Sequence, residues 1–409
     1  MRVKISKGTA YGQIAAPPSK SYGHRMLICA ALANGKSTVK RISASEDMLA
    51  TIDCIKALGV QAESEGDTCI LGGFGAENIT EKHCLPEYKC RESGSTLRFF
   101  IPIAMALTGG GIFSGAKRLI ERGIGIYEEL FVPQGVLIEK CEDFIRIEGT
   151  LKAGNMKVRG DVSSQFISGL LFALPLLKED STLEILPPVE SRAYIDITID
   201  SMKLFGVNVE EPATNHFFIK GGQSYKAKDV SVEGDWSNAA FLYAIKELTG
   251  AGDKLEITGL REDSIQGDKV CRDYFDKLIK GTEEALDISG CPDLGPILFA
   301  FAAAAKGGKF TGIRRLRIKE SDRAAVMAQE LAKFGVTAQV LENDMIIPAG
   351  QLKAPQEVID GHNDHRIVMS MAVLMLLTGG GIEGAEAVKK SYPDFFNNLR
   401  DLGVSVQEL

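Results

Sequence analysis

A short motif that ends a helix and recurs along the chain constrains the fold more than any other feature of the sequence. In this motif an amphipathic helix finishes on an apolar residue, which is followed by Gly and Val. Glycine readily adopts the left-handed backbone angles that end a helix, and we expect the valine to open a strand. The repetition predicts one α/β supersecondary unit used several times. The copies are Leu58-Gly59-Val60, Phe205-Gly206-Val207, Phe334-Gly335-Val336 and Leu402-Gly403-Val404.

A longer repeat predicts two similar halves. A helix predicted to begin at Arg98 ends in Leu-Thr-Gly-Gly-Gly-Ile at residues 107–112, and one predicted to begin at Arg366 ends in the same residues at 377–382. Two further helices, predicted over residues 168–177 and 297–305, are small or apolar on every side. Because helices of that kind are buried, we expect helices rather than sheets at the centre of the fold.

The domain organisation follows from length and from two predicted crossovers. A chain of 409 residues exceeds one ordinary core, so two domains are expected. One crossover should lie just before Pro17, after a strand near the N-terminus, and the other near residues 232–238. We therefore predict a discontinuous domain of residues 1–14 plus 230–409, which carries both termini, and an inserted domain of residues 15–229.

Composition excludes several classes of partner. The formal net charge of −7 argues against nucleic acid or an acidic membrane. No signal peptide or membrane-spanning run is visible, and the eight cysteines are scattered without a CxxC pair. We therefore expect a cytoplasmic protein with reduced thiols, in which any anion site is a local concentration of arginine and lysine.

Helix starts carry the candidate binding residues. Two prolines precede a helix that Ser19 is predicted to cap and Gly35 to end, and this helix carries Lys20, Ser21 and Arg25. Hydroxyls, cations and free N–H groups at a helix N-terminus suit a phosphate or carboxylate. The alternative is an exposed helix start or a plain helix cap. Other starts of this kind carry Gly94 with Arg98, Ser163 with Ser164 and Gln165, and Ser191 with Tyr194.

Candidate catalytic residues lie in the second half. Asp293 stands alone before a buried helix, where a partly desolvated carboxylate can serve as a base or can simply cap the helix. The densest charged cluster is residues 319–323, Lys-Glu-Ser-Asp-Arg, and its alternative is a solvated helix start. Two histidines, His362 and His365, are too weak a set to indicate metal. Together these features predict two anionic small substrates held by both halves.

The order of these motifs resembles the 5-enolpyruvylshikimate-3-phosphate synthase family over nearly the whole chain. The segments at residues 319–323 and 363–366, the latter Asn-Asp-His-Arg, are specific in combination. The resemblance implies a two-domain inside-out α/β barrel. Each domain would contain three repeated α/β units with buried helices and outer sheets, and substrates would bind in the cleft between the domains.

The resemblance also implies the reaction. The enolpyruvyl group of phosphoenolpyruvate would pass to the 5-hydroxyl of shikimate 3-phosphate, with release of phosphate, by addition and elimination without a metal or organic cofactor. We expect a monomer. The inserted domain would carry much of the shikimate 3-phosphate site, and the discontinuous domain much of the phosphoenolpyruvate site.

The residue roles that the resemblance implies fall into three groups. Asp293 would be the base at the 5-hydroxyl, and Glu320 or Lys20 would deliver a proton to the methylene carbon. Shikimate 3-phosphate would be held by Lys20, Ser21, Arg25, Ser163, Ser164, Gln165, Ser191, Tyr194, Asp293 and Lys319. Phosphoenolpyruvate would be held by Lys20, Gly94, Arg98, Arg122, Gln165, Arg323, Arg366 and Lys390.

Two alternatives remain open at this point. The related enolpyruvyl transferase acting on UDP-N-acetylglucosamine carries a reactive cysteine in the loop corresponding to residues 115–122, whereas this chain has no cysteine between Cys90 and Cys141. A non-catalytic anion-binding relative would keep the fold, but it would not need Lys20, Asp293, Glu320 and Lys390 together.

Overall fold

The chain divides into two compact units in a computed structural model that describes residues 1–74 and 84–409. Unit 1 comprises Met1–Ser19 and Glu233–Leu409, and unit 2 comprises Lys20–Val232. The two boundaries between the units lie a few residues after the predicted ones. The reason is that two segments of unit 1, which contain Pro17–Ser19 and Glu233–Asp235, are hydrogen-bonded to each other. The N–H of Ser19 donates to the carbonyl of Glu233, and the N–H of Asp235 to that of Pro17, both at 2.8 Å.

The regular elements alternate along the chain as the repeated motifs predicted. The α-helices are α1 (Lys20–Leu32), α2 (Glu46–Ala57), α3 (Gly94–Leu107), α4 (Lys117–Glu121), α5 (Gly125–Phe131), α6 (Ser164–Ala173), α7 (Arg192–Leu204), α8 (Trp236–Leu248), α9 (Cys271–Lys280), α10 (Gly295–Ala304), α11 (Arg323–Lys333), α12 (His365–Thr378) and α13 (Phe395–Asp401).

The strands are short, most of them two to five residues long. They are β1 (Arg2–Ile5), β2 (Gly12–Ala15), β3 (Ala33–Asn34), β4 (Ser37–Lys40), β5 (Ala62–Glu65), β6 (Thr68–Leu71), β7 (Glu87–Lys89), β8 (Gly110–Ser114), β9 (Leu137–Lys140), β10 (Phe144–Glu148), β11 (Asn155–Arg159), β12 (Ser181–Leu186), β13 (Glu210–Ala213), β14 (His216–Ile219), β15 (Tyr225–Lys226), β16 (Val230–Ser231), β17 (Leu255–Thr258), β18 (Leu286–Asp287), β19 (Gly308–Thr311), β20 (Gln339–Val340), β21 (Asp344–Ile347), β22 (Ile359–Asp360), β23 (Gly380–Glu383) and β24 (Val406–Glu408).

One sheet pattern recurs in both units, which confirms the repeated α/β unit. Among the described residues, unit 2 contains sheets ordered β16-β4-β6-β5, β7-β8-β10-β9 and β11-β12-β14-β13, besides the small pair β15-β3. Unit 1 contains β18-β19-β21-β20 and β22-β23-β1-β24. In each of these four-stranded sheets the first two strands are parallel and the rest antiparallel. The third repeat of unit 1 is reduced to the parallel pair β17-β2.

The helices that connect the parallel strands form the interior of each unit, as the all-apolar sequences predicted. In α10 the residues from Gly295 to Ala303 are all buried, and in α3 all residues except Ser95, Ala106 and Leu107 are buried. The strands instead alternate buried positions with exposed or half-buried ones, as in β11 and β21, so each sheet keeps one outer face. Each unit has its own cluster of buried apolar side chains. Burial of one Phe or Leu side chain stabilises the folded state by roughly 1.5–3 kcal/mol.

The Gly-Val motif ends the second helix of a repeat. Its glycines have φ near +80° to +93°, and Val60 donates its N–H to the carbonyl of Ile55, five residues earlier. This is the Schellman arrangement, in which the residue after glycine buries its side chain against the helix. The prediction that valine opens a strand is wrong by two or three residues, because β5 begins at Ala62 and β13 at Glu210.

Two helix boundaries also differ from prediction. The helix α1 ends at Leu32 rather than running to Gly35, because Ala33 and Asn34 pair with β15 instead. The helix α3 begins at Gly94, so Arg98 lies in its second turn.

Candidate active site

The first helix of unit 2 buries an arginine that faces no carboxylate. Arg25 donates from Nε to Thr198 Oγ1 at 2.7 Å, from Nη1 to the carbonyl of Ser21 at 2.8 Å, and from Nη2 to the carbonyl of Tyr194 at 2.9 Å and to Ser168 Oγ at 3.4 Å. Burial lowers the pKa of Arg25 to about 10. Within residues 1–74 and 84–409 no acidic side chain pairs with this guanidinium, and a buried charge calls for an opposite one. An anionic ligand would supply it.

Lys20, the first residue of the same helix, has an acidic partner that sequence reasoning missed. Its Nζ donates to Asp47 Oδ2 at 2.9 Å, and both side chains are largely buried. Asp47 lies in the first turn of α2, where a carboxylate is stabilised by the helix dipole. The acidic pair Glu46-Asp47 at a helix start was a visible signal, but nothing local linked it to Lys20.

Three predicted hydroxyl residues stand at the N-termini of α6 and α7. Ser163 caps α6, since its Oγ accepts the N–H of Gln165 at 3.3 Å, so the capping interpretation of this serine is confirmed. A hydroxyl that accepts in this way still has its own proton to donate. Ser164 follows at the first helical position and is buried. Ser191 precedes α7 in a left-handed conformation, with φ of +57°, and is buried.

Two arginines converge on the first turn of α3. A methyl group added at Gly94 would lie 3.1 Å from a guanidinium nitrogen of Arg98 and 3.1 Å from one of Arg122. Arg98 donates from Nη1 to Gln165 Oε1 at 2.5 Å, and Gln165 in turn donates from Nε2 to Ser95 Oγ at 2.9 Å. The structure thus brings together Gly94, both arginines and Gln165 at one helix N-terminus, where an anion is favoured.

In unit 1 the carboxylate of Asp293 lies among three cations. Its Oδ1 accepts from Lys319 Nζ at 3.1 Å and from Arg323 Nη1 at 2.9 Å. The Nη2 of Arg366 lies 3.6 Å from its Oδ2. Leu294, not Asp293, occupies the N-cap position of α10, so the capping interpretation of Asp293 is wrong. About a fifth of the Asp293 side chain remains exposed, which leaves it accessible to a ligand.

Arg323 is fixed by a network that sequence reasoning only partly found. Its Nε donates to Asp364 Oδ2 at 2.8 Å, and its Nη2 donates to Glu320 Oε2 at 2.7 Å. Asp364 is fully buried and caps α12 through the N–H of Arg366 at 2.9 Å. An Asp just before a helix is typical of a cap, but the contact of Asp364 with Arg323 spans 41 residues of sequence.

Burial and the neighbouring carboxylates shift the pKa values of the cations in this network in opposite directions. Burial lowers the pKa of Lys319 to about 8, although the Asp293 carboxylate beside it opposes the shift. Burial also acts to lower the pKa of Arg323, but the carboxylates of Asp364, Glu320 and Asp293 raise it above its usual value. The ammonium of Lys319 is therefore the cation of this cluster that can lose its proton near neutral pH.

Arg366 and Lys390 complete the cluster. The Nε and Nη1 of Arg366 are buried and have no hydrogen-bond partner within the described part of the chain. Lys390 is buried and donates to the carbonyl of Asn363 at 2.6 Å. Unsatisfied buried donors are rare because they cost free energy, so the Arg366 guanidinium indicates an anion that belongs here.

The described residues contain no group of three His, Cys, Asp or Glu side chains arranged for a metal ion. His362 instead contacts Glu330, with 2.9 Å between its Nε2 and Oε1. No helix within the same residues is long and apolar enough to cross a membrane.

Both units therefore present clustered cations, to which unit 2 adds hydroxyls at helix N-termini and unit 1 adds a reachable carboxylate. This combination, in an α/β protein, is suited to phosphorylated or carboxylated small molecules. The sequence matches the family model described as EPSP synthase (3-phosphoshikimate 1-carboxyvinyltransferase) over residues 6–399. The chain belongs to this family, as the motif resemblance indicated.

Curated relatives and solved structures agree with that assignment. The chain is 40% identical to the 3-phosphoshikimate 1-carboxyvinyltransferase of Clostridium perfringens (strain ATCC 13124), with 98% of each chain covered. It is also 40% identical to the protein of that name from Clostridium kluyveri, covering 99% of this chain and 98% of the relative. The fold is similar to that of EPSP synthase from Acinetobacter baumannii, with a TM-score of 0.78, 22% identity and full coverage of both chains. The predicted fold class is confirmed.

Proposed function

We propose that this chain transfers the enolpyruvyl group of phosphoenolpyruvate to the 5-hydroxyl of shikimate 3-phosphate and releases phosphate. Membership of the family, with relatives of that name at 40% identity over the full length, supports this activity. The observation that carries it within the chain is the Asp293 carboxylate, held by Lys319 and Arg323 beside the buried donors of Arg366. A carboxylate lowers the net positive charge that attracts an anion, so a partly exposed carboxylate among the cations favours a chemical role over binding alone.

We assign the two substrates to different sets of hydrogen-bond donors. In unit 2, Arg25 offers a buried positive charge near Ser21 and Tyr194, and Ser163, Ser164 and Ser191 offer hydroxyls, which suits the phosphate of shikimate 3-phosphate. Phosphoenolpyruvate carries both a carboxylate and a phosphate. Paired guanidinium groups bind such anions in bidentate fashion, and the matching pairs are Arg98 with Arg122 in unit 2 and Arg323 with Arg366 in unit 1.

The proposed chemistry runs in two stages. In the first stage the oxygen of the 5-hydroxyl bonds to C2 of phosphoenolpyruvate, and Asp293 accepts the proton of that hydroxyl. At the same time Glu320 or Lys20 delivers a proton to the methylene carbon. The deprotonated donor, Glu320 or Lys20, then takes a proton back from the new methyl group as the C2–O bond to phosphate breaks, which restores the double bond. The proton held by Asp293 leaves with the phosphate. The ether oxygen comes from shikimate 3-phosphate, and the oxygen of the broken bond leaves with the phosphate. Fixed cations stabilise the charge that develops on the departing phosphate.

We propose that the enzyme works as a monomer in the cytoplasm. All eight cysteines are free thiols, and most are buried in apolar surroundings, which fits a reducing compartment.

The test is phosphate release with defined substrates. Phosphate should appear when phosphoenolpyruvate and shikimate 3-phosphate are both present and not with either alone, and a chelator should leave the rate unchanged. Release of phosphate with UDP-N-acetylglucosamine as the acceptor, and none with shikimate 3-phosphate, would contradict the proposal. The names of the relatives and the absence of cysteine from residues 115–122 both disfavour that acceptor.

A further inference from the structure

We propose that Glu330 and His362 form a positioning pair that holds the turn before α12, and that this turn fixes the cations that bind phosphoenolpyruvate. The inference rests on the proposed function for the identity of the ligand. The pair itself is defined by contacts within unit 1, and neither residue belongs to the cation cluster.

The turn has an unusual backbone. His362 and Asn363 have φ of +48° and +51°, and the N–H of Asp364 donates to the carbonyl of Gly361 at 2.9 Å. Two successive positive φ values inside such a hydrogen bond define a type I′ turn, whose central positions favour Gly, Asn and Asp. Asn363 and His362 both belong to residue types that are enriched at positive φ. The side chain of His362 also makes a contact that holds the turn.

That contact is with a buried carboxylate. Glu330, on α11, is completely buried, and its Oε1 lies 2.9 Å from His362 Nε2. Its Oε2 accepts from the N–H of Asp360 at 3.2 Å and pairs with Lys333 Nζ at 2.8 Å. Glu330 therefore binds both the backbone that enters the turn and the first central side chain of the turn, while Lys333 balances its charge.

The turn holds the cation cluster through two groups. Asp364, its last residue, accepts from Arg323 at 2.8 Å, and the carbonyl of Asn363 accepts from Lys390 Nζ at 2.6 Å. Both cations would shift if the turn relaxed to an ordinary backbone conformation. A shift of about 1 Å in a positioned group can cost on the order of a hundredfold in rate.

Helix α11 contacts the turn at two points. Arg323 is the first residue of α11, and Glu330 follows seven positions later, which is close to two helical turns and the same face. The helix therefore contacts Asp364 through Arg323 and His362 through Glu330. If the Glu330 contact were lost, the turn would remain attached to α11 through Arg323. Arg323 is the residue that the turn is proposed to position.

The test compares Michaelis constants in His362→Ala, Glu330→Gln and the double variant. We expect His362→Ala to raise KM for phosphoenolpyruvate about tenfold and to leave KM for shikimate 3-phosphate within about twofold. A purely structural defect would instead reduce the fraction of active enzyme, which lowers kcat and leaves both KM values unchanged. Because the two residues act through one contact, the double variant should be no worse than the poorer single variant.

Gln329→Ala is the matched control, because Gln329 is exposed on the same helix and should leave both KM values unchanged. His362 is partly exposed, so His362→Ala keeps the test available if Glu330→Gln does not fold. An unchanged KM for phosphoenolpyruvate in His362→Ala, an equal rise in both KM values, or additive effects in the double variant would each overturn the inference. Failure of the unsubstituted enzyme to release phosphate would instead count against the proposed function.

Discussion

Replacement of Asp293 by Asn tests the chemical role of the central carboxylate. The substitution keeps size and shape, and its amide oxygen can still accept from Lys319 and Arg323. Hydrogen bonds to a charged partner are worth roughly 1.5–3 kcal/mol and neutral ones roughly 0.5–1.5 kcal/mol. The change should therefore cost about 1 kcal/mol of folding stability for each of the two bonds. Arg323 remains held by Asp364 and Glu320, so the fold should survive.

The effect on turnover should be far larger than the effect on stability. Loss of a general base typically costs on the order of a hundredfold to ten-thousandfold in rate, so kcat for phosphate release should fall at least a hundredfold. Asp293 also raises the pKa of Lys319 against burial. Its replacement should therefore lower the pKa of Lys319 below about 8 and move the alkaline limb of the pH profile to lower pH.

The assay is steady-state phosphate release as a function of pH, with calorimetric titration of shikimate 3-phosphate to show that binding persists. Asp322→Asn is the matched control, because Asp322 caps α11 through the N–H of Ala325 at 3.2 Å and Asn caps a helix equally well. Its kcat should be unchanged. If Asp293→Asn retained kcat within tenfold of the original enzyme, the assignment of Asp293 as the base would be refuted.

Three further predictions follow from contacts in the two units. Replacing Ser163 and Ser164 together by Ala should weaken binding of shikimate 3-phosphate at least tenfold while leaving unphosphorylated shikimate almost unaffected, as calorimetry can measure. Gly94→Ala should raise KM for phosphoenolpyruvate more than that for shikimate 3-phosphate, because its methyl group would press on the guanidinium of Arg122 at 3.1 Å; equal changes would count against this placement. KM for shikimate 3-phosphate should rise above about pH 8 as Lys319 loses its proton, and Lys319→Arg should remove that rise because guanidinium stays charged.

The fold could be predicted to the extent that local signals specified it. The Gly-Val motif at Gly59, Gly206, Gly335 and Gly403 marked helix ends because a left-handed residue there is a local requirement. A further copy at residues 135–136, with Gly135 at φ of +87° and the same backbone bond, was missed. There a short 3₁₀ segment containing a proline interrupts the helical pattern. The reduced third repeat of unit 1 gave no local signal, since it depends on pairing between β2 and β17, far apart in sequence.

The candidate site was predictable by residue type but not by partner. Helix starts identified Arg25, Ser163 and Asp293 because caps and helix dipoles act within a few residues. The groups that hold the cations come from elsewhere in the chain: Asp47 is 27 residues from Lys20, and Asp364 is 41 residues from Arg323. Such contacts arise from tertiary packing, which no local pattern records.

The central claim is that phosphoenolpyruvate donates its carbon skeleton rather than its phosphoryl group. The most direct measurement follows ¹⁸O placed in the oxygen that links C2 and phosphorus, with shikimate 3-phosphate as the acceptor. Addition and elimination break the C2–O bond, so the label should appear in inorganic phosphate, and the organic product should be an enol ether without it. Label recovered in pyruvate, with no enol ether formed, would show cleavage of the phosphorus–oxygen bond and would contradict the account.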